Sequence, residues 1–154
     1  MPPGGATTCM SAEPTRQFVD TNVLVYAHDR SAGAKQARAR TLIERLWNEG
    51  GGCLSVQVLQ EFFVTITRKV PHPLDDASAE TLVRQMSNWE VFAPEADDVL
   101  AAIALGRKAG IGFWDAMILH SATELGCDVV WSEDLNAGQS DAGVVVRSPF
   151  EPAR

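Results

Sequence analysis

Two acidic residues closely follow segments that have the character of buried strands. Asp20 directly follows Phe18 and Val19, and Asp134 is the third residue after the segment 128–131, which ends in Val-Val-Trp. Such apolar, β-branched and aromatic runs are typical of strands. Ligands of open α/β sheets bind at the carboxyl ends of the strands, and an acid buried there is costly unless something pairs with it. A simpler alternative for Asp20 is that it only caps the turn that Thr21 and Asn22 begin.

Two further acids lie on predicted helices, in line with apolar faces. Glu61 belongs to a helix predicted over residues 56–69, where it borders the stripe formed by Val58, Phe62 and Thr65. Asp115 is followed by apolar residues three, four and seven positions later, so that its carboxylate heads an apolar stripe. A structural Glu paired with an Arg, and an acid in a helix's first turn, are the ordinary alternatives.

Four carboxylates at one rim would repel one another, so a pocket of this kind is stable mainly with a hard cation bound. Mg²⁺ or Mn²⁺ fits oxygen ligands, whereas the sequence has no His–Cys cluster that indicates zinc. One or two such ions can deprotonate a water molecule and stabilise the developing charge of a phosphodiester. Residue types and spacing therefore predict a metal-dependent phosphotransfer site at Asp20, Glu61, Asp115 and Asp134.

The elements that position these acids alternate between strands and helices, which predicts an α/β fold with a parallel sheet covered on both faces. Further helices are expected over residues 34–49, 75–88 and 95–109, and further strands at residues 53–54, 89–92 and 144–146. In the helix that begins near Glu95, we expect Val99, Leu100, Ile103 and Ala104 to face inward. His28, His72 and His120 are interpreted as surface residues and Trp114 as a packing residue of the core or rim.

The composition fits one domain. The chain has 154 residues, 45% of them hydrophobic, and a formal charge of −7, which neither indicates nor excludes nucleic-acid binding. We expect a disordered leader at residues 1–15, in which Met10 is an alternative start, a domain at residues 16–150 and a tail at residues 151–154. Three cysteines without metal-ligand spacing indicate reduced thiols and a cytoplasmic location, with Cys53 and Cys127 in the core, and no segment has the length of a membrane span.

Basic residues that could hold a phosphate backbone fall in two clusters. A solvated helix face is the ordinary interpretation of the first cluster. The candidates for nucleic-acid binding are Arg38, Arg40, Arg45, Arg107 and Lys108.

Four short motifs, in order, resemble those of the PIN-domain ribonucleases, and specifically the VapC-like toxins of type II toxin–antitoxin systems. They are FVDTNVL (residues 18–24), EF (61–62), FWDA (113–116) and WSEDL (131–135). The resemblance implies a three-layer α/β/α fold and an RNA-cleaving enzyme dependent on Mg²⁺ or Mn²⁺. It also implies that Asp20, Glu61, Asp115 and Asp134 surround the metal, supported by Asn22 and Ser132. Glu133 is also acidic, but Asp134 matches the acid of the family's motif. A cognate antitoxin and a homodimer are the implied partners.

Two other functions are the alternatives. A haloacid-dehalogenase-like phosphatase would use Asp20 as a phosphoryl nucleophile, but it requires a second Asp two residues later, where this chain has Asn22. A non-catalytic PIN-like module that only binds protein is the other alternative, and the presence of all four acids gives no sign of it.

Overall fold

The chain forms a five-stranded parallel sheet with helices on both faces, as the sequence predicts. The computed structural model describes residues 15–135 and 143–151. The strands are β1 (Gln17–Val19), β2 (Gly52–Ser55), β3 (Glu90–Phe92), β4 (Val129–Trp131) and β5 (Val145–Arg147). The helices are α1 (Thr21–His28), α2 (Ala34–Glu49), α3 (Val56–Arg68), α4 (Asp76–Met86), α5 (Ala96–Ala109) and α6 (Phe113–Glu124), with a short 3₁₀ turn at Arg30–Ala32.

The order of the strands in the sheet is β3-β2-β1-β4-β5. The chain therefore moves outward from β1 to β3 and then returns past β1 to β4. Right-handed crossovers place the helices of an outward and a returning connection on opposite faces of a sheet. Accordingly, α1 packs against both α2 and α3, and α3 packs against α4, while α5 packs on α6, which contacts β2 and β4. The order reverses between β1 and β4, and their carboxyl ends carry Asp20 and residues 132–134.

The core lies between the sheet and these helices. Phe18 of β1, Leu24 of α1, Leu54 of β2, Phe62 of α3 and Leu119 of α6 are completely buried. Cys53 and Cys127 are buried free thiols, which confirms their predicted place in the core. In the described part of the chain, the helices lack the combination of length and apolar character needed to cross a bilayer.

One helix turns a different face inward from the one predicted. In α5, Val99, Leu100 and Ile103 are 39%, 63% and 44% exposed, and the buried positions are Ala102 and Gly106. The prediction that Val99, Leu100, Ile103 and Ala104 point inward is therefore wrong. A methyl group on Gly106 would lie 3.0 Å from the Ile111 carbonyl oxygen, so a close approach to the following turn selects the face with small residues.

The predicted leader (residues 1–15) lies outside the described residues except for Thr15. Residues 152–154 of the predicted tail also lie outside them. The proposed domain boundaries and the alternative start at Met10 remain predictions.

Candidate metal centre

Asp20 lies where β1 ends and α1 begins, and its side chain is 8% exposed. One carboxylate oxygen accepts the backbone N–H of Thr21 at 2.8 Å, so Asp20 does cap α1. The other oxygen accepts the hydroxyl of Ser132, beyond β4, at 2.8 Å. Asp20 therefore caps α1 and also lies at the point between β1 and β4 where the strand order reverses.

The pKa of Asp20 is raised from 3.8 to about 6, chiefly because burial disfavours its charged form. The hydrogen bonds from Ser132 and Thr21 act in the opposite direction, and the charges of Glu61 and Asp134 raise the pKa further. The structure therefore places Glu61 and Asp134 close enough to Asp20 for their charges to act on it.

Glu61 faces the start of α1 from the middle of α3. Its Oε1 accepts the hydroxyl of Thr21 at 2.7 Å, and its Oε2 accepts the side-chain amide of Gln57 at 3.3 Å. Thr21 thus touches two of the predicted acids, through its backbone N–H and through its hydroxyl. This explains physically why a threonine follows Asp20, a role that the sequence analysis did not assign.

Asp134 is held by the two predicted supporting residues. Asn22 donates its amide to Asp134 Oδ2 at 3.0 Å and accepts the backbone N–H of Glu133 at 3.2 Å. The Ser132 hydroxyl accepts the backbone N–H groups of Asp134 and Leu135, each at 3.2 Å, while it donates to Asp20. Asn22 and Ser132 therefore orient the loop after β4 against the start of α1.

Asp115 completes the group from the first turn of α6. Its pKa is raised by burial and by the charges of Asp134 and Glu61. The four predicted acids thus influence one another electrostatically across four separate elements. No ion pair to any of them occurs among residues 15–135 and 143–151.

Glu133 has different partners from the four acids. It accepts the hydroxyl of Tyr26 at 2.7 Å and a short hydrogen bond from the ammonium of Lys35. Burial opposes the charged form of Glu133, but these two donors outweigh it and its pKa is lowered. Lys35 also lies over the rings of Tyr26 and Phe150. Lys35 is not among the predicted site residues, because no local pattern links it to Glu133, which is 98 positions away in the chain.

The five predicted nucleic-acid-binding residues do not form one surface. Arg45 contacts the side chain of Gln17 at 3.5 Å, at the amino end of β1 and hence at the opposite edge of the sheet from Asp20. Arg38 donates to the Phe150 carbonyl, and Arg40 lines a cleft beside His28 and His72. Arg107 and Lys108 lie in the last turn of α5, shortly before the helix that carries Asp115.

A second set of possible ligands lies between α5 and α6. The ligating atoms of Asp98, His120 and Glu124 lie within 4.8 Å of one another, and His120 Nε2 is 2.8 Å from Asp98 Oδ1. The His120 side chain is only 15% exposed and packs edge-on against Phe92, so the prediction of a surface histidine is wrong.

Trp114 is 63% exposed, so it lies at the rim and not in the core.

The chemistry of the four-acid group fits a divalent cation. It offers carboxylate oxygens of graded accessibility, with Asp20 buried, Glu61 half-buried, and Asp115 and Asp134 exposed. Oxygen ligands of this kind suit Mg²⁺ and Mn²⁺. Neutral donors from Thr21, Asn22 and Ser132 orient three of these acids without cancelling their charge.

Removing the Ser132 hydroxyl tests how strongly it holds the two strand ends together. Ser132 is completely buried, so Ser132→Ala leaves Asp20 Oδ2 and two backbone N–H groups without this partner. We expect the free energy of unfolding to fall by about 1–3 kcal/mol in a urea titration. Ser121→Ala is the matched control, because that buried hydroxyl bonds only a carbonyl of its own helix. Equal losses in the two variants would contradict the role given to Ser132.

The pH dependence of stability tests the burial of Asp20 in metal-free protein. Because its folded pKa is raised to about 6, the group stabilises the fold most fully below pH 3.8, and this contribution is lost as pH rises through about 6. A folded-state pKa of about 6 in place of 3.8 corresponds to about 3 kcal/mol of unfolding free energy. In EDTA, the unfolding free energy of the original protein should therefore fall more between pH 4 and pH 7.5 than that of Asp20→Asn. Parallel curves for the two proteins would mean that Asp20 is not buried in this way.

Comparisons with solved structures agree with this fold. The chain superimposes on a toxin–antitoxin complex from Klebsiella pneumoniae with a TM-score of 0.66 and 17% identity, covering 88% of this chain and 99% of the other. It superimposes on VapC20 of Mycobacterium tuberculosis, a sarcin–ricin-loop-cleaving toxin, with a TM-score of 0.58 and 21% identity, covering 77% and 89%. For VapBC2 of Rickettsia felis bound to promoter DNA, the TM-score is 0.56 at 16% identity, covering 87% and 98%.

These identities are low and show a shared fold. No curated protein matches the sequence at a significant level. The profile of the PIN domain matches residues 18–142, which include all four acids. The chain belongs to the PIN domain family.

Proposed function

We propose that this protein is an endoribonuclease dependent on Mg²⁺ or Mn²⁺ and the toxin of a toxin–antitoxin pair. The observation that carries the proposal is the group of four carboxylates at the reversal point of the sheet, which has no basic partner among the described residues. The family match and the RNA-cleaving activity stated for VapC20 support RNA as the substrate.

In this proposal Asp20, Glu61, Asp115 and Asp134 hold the ion. When bound, Mg²⁺ or Mn²⁺ supplies a Lewis acid that makes water a better nucleophile and offsets charge on the phosphate. The protein's own contribution is orientation: Thr21 fixes Glu61, Ser132 fixes Asp20, and Asn22 fixes Asp134. Carboxylates held in this way need little rearrangement when the ion binds, because their positions are already fixed by hydrogen bonds.

The phosphatase alternative is not favoured. A dehalogenase-like mechanism needs an acid two residues after Asp20, to protonate the leaving group. Asn22 occupies that position, and its amide is used by Asp134 and the backbone of Glu133. Asn22 therefore acts as a structural support in the loop contact and has no proton to give.

Cleavage of RNA is the direct test. We expect purified protein to cleave RNA with Mg²⁺ or Mn²⁺ and to lose this activity in excess EDTA. Asp20→Asn should reduce the rate at least about 100-fold, because loss of an outer-shell partner alone costs 10–100-fold. Asp97→Asn is the matched control, since Asp97 is an exposed acid in the first turn of α5. Cleavage that continues unchanged in EDTA or in Asp20→Asn would contradict the proposal, and a protein that never cleaves would favour the non-catalytic alternative.

Among the basic residues, we propose that Arg107 and Lys108 contact the RNA backbone. They precede the helix that carries Asp115, whereas Arg45 lies at the opposite edge of the sheet. Each phosphate contact with single-stranded nucleic acid contributes about 0.7 to the slope of log affinity against log salt. The double variant Arg107→Gln/Lys108→Gln should therefore flatten this slope by about 1.4, and Arg45→Gln should leave it unchanged. Fluorescence anisotropy measures both salt slopes when the substitutions are made in Asp20→Asn protein, so that the RNA is not cleaved during the titration. An unchanged slope in the double variant would mean that the RNA binds elsewhere.

We also propose a cognate antitoxin and a second copy of this chain as partners. Toxin–antitoxin complexes among the similar structures support the first. The apolar face of α5, formed by Val99, Leu100 and Ile103, supports the second, because exposed apolar clusters mark protein contacts. Sedimentation velocity should give the mass of a dimer, and Leu100→Glu should shift it to that of one chain. A monomeric original protein would contradict the homodimer.

A further inference from the structure

Gln57 is a buried polar residue next to the four-acid group, and neither the motifs nor the spacing drew attention to it. It lies in the first turn of α3, one helical turn before Glu61, and only 8% of it is exposed. A glutamine is rarely buried to this extent without a specific set of hydrogen bonds.

The amide nitrogen of Gln57 connects two elements of the site. It lies 3.3 Å from Glu61 Oε2 and 3.5 Å from the backbone carbonyl oxygen of Trp114. Trp114 directly precedes Asp115, so the contact joins α3 to the first turn of α6. Because both partners can only accept, the amide must present its nitrogen to them, and its orientation is determined by this network.

The same orientation leaves the other end of the amide unsatisfied. Gln57 Oε1 is buried and has no hydrogen-bond partner among the described residues. A buried acceptor without a partner is destabilising, and the two bonds that the nitrogen makes are long. Stability of the fold therefore does not account for a glutamine at this position, and an apolar side chain of equal length would serve it as well.

We propose that Gln57 is a positioning residue that sets the separation between Glu61 and the first turn of α6, so that Glu61 and Asp115 can bind one divalent cation. This inference rests on the proposed function. Gln57 does not itself contact the ion. Without its amide, the Thr21 hydroxyl is the one donor left to Glu61 within the described part of the chain, and Glu61 can turn away from Asp115.

Calorimetric titration of the RNA-free protein with Mn²⁺ tests this role without an activity measurement. Gln57→Met keeps the length of the side chain and removes its hydrogen bonds. We expect Mn²⁺ affinity to fall about 10- to 100-fold, the usual effect of losing a residue that orients a ligand. The melting temperature in EDTA should stay the same or rise, because an unpaired acceptor is removed. Gln60→Met, at an exposed position of the same helix, is the matched control and should change neither quantity.

A double-mutant comparison separates positioning of Glu61 from other effects. If Gln57 acts through Glu61, then Gln57→Met should add little further loss of Mn²⁺ affinity in protein that already carries Glu61→Gln. Fully additive losses would overturn the proposed route. So would unchanged Mn²⁺ affinity in Gln57→Met, or a lower melting temperature in EDTA, either of which would show a purely structural residue. If the original protein binds no Mn²⁺, the proposed function itself fails, which is a different result.

Discussion

Mutual repulsion among four carboxylates is the constraint on which the rest of this structure depends. Asp20 is buried at the point where the strand order reverses, and its pKa is raised to about 6 by burial and by its acidic neighbours. Within the described residues, three of these acids are held by neutral donors: two hydroxyls, two side-chain amides and the backbone N–H of Thr21. Such donors fix positions but leave the net negative charge in place, which is the charge that the proposed cation would offset.

The topology of the sheet brings the four acids close to one another. β1 and β4 are neighbours in the sheet, although more than 100 residues separate them in the chain. Asp20 and Ser132 follow these two strands and meet at 2.8 Å. α3 and α6 belong to the two different helical groups and bring Glu61 and Asp115 to the same rim. No local segment could supply this set, because each acid arrives on its own element and only the crossovers bring the elements together.

The sequence predicted those parts of the structure that follow from one segment at a time. Strand and helix periodicity gave the order of the elements and the α/β/α layers, which the structure confirms. The acids could be selected because each interrupts or borders an apolar pattern. Whether they act as the metal-binding set remains a prediction, to be decided by titration and cleavage.

What the sequence could not predict depends on contacts between segments. In α5 two stripes were available, and apolar content favoured the stripe with Val99 and Leu100. Packing selected the other, because Gly106 must approach the turn at Ile111 closely. The partners of Gln57 and Lys35 lie 57 and 98 residues away, at Trp114 and Glu133, so neither contact leaves a local signal. His120 was misread for the same reason, since Asp98 lies on another helix.

Glu133 and Asp134 differ in whether a basic residue pairs with them. The two acids are neighbours in sequence, yet Glu133 accepts hydrogen bonds from Lys35 and Tyr26, while the one side-chain donor to Asp134 among the described residues is the neutral amide of Asn22. A lysine that reached Asp134 instead would neutralise part of the group and compete with a cation for it. Pairing Lys35 with Glu133 holds the ammonium beside Tyr26 and Phe150, at the margin of the site. The positive charge of Lys35 is therefore paired with Glu133, while the four acids have no basic partner among residues 15–135 and 143–151.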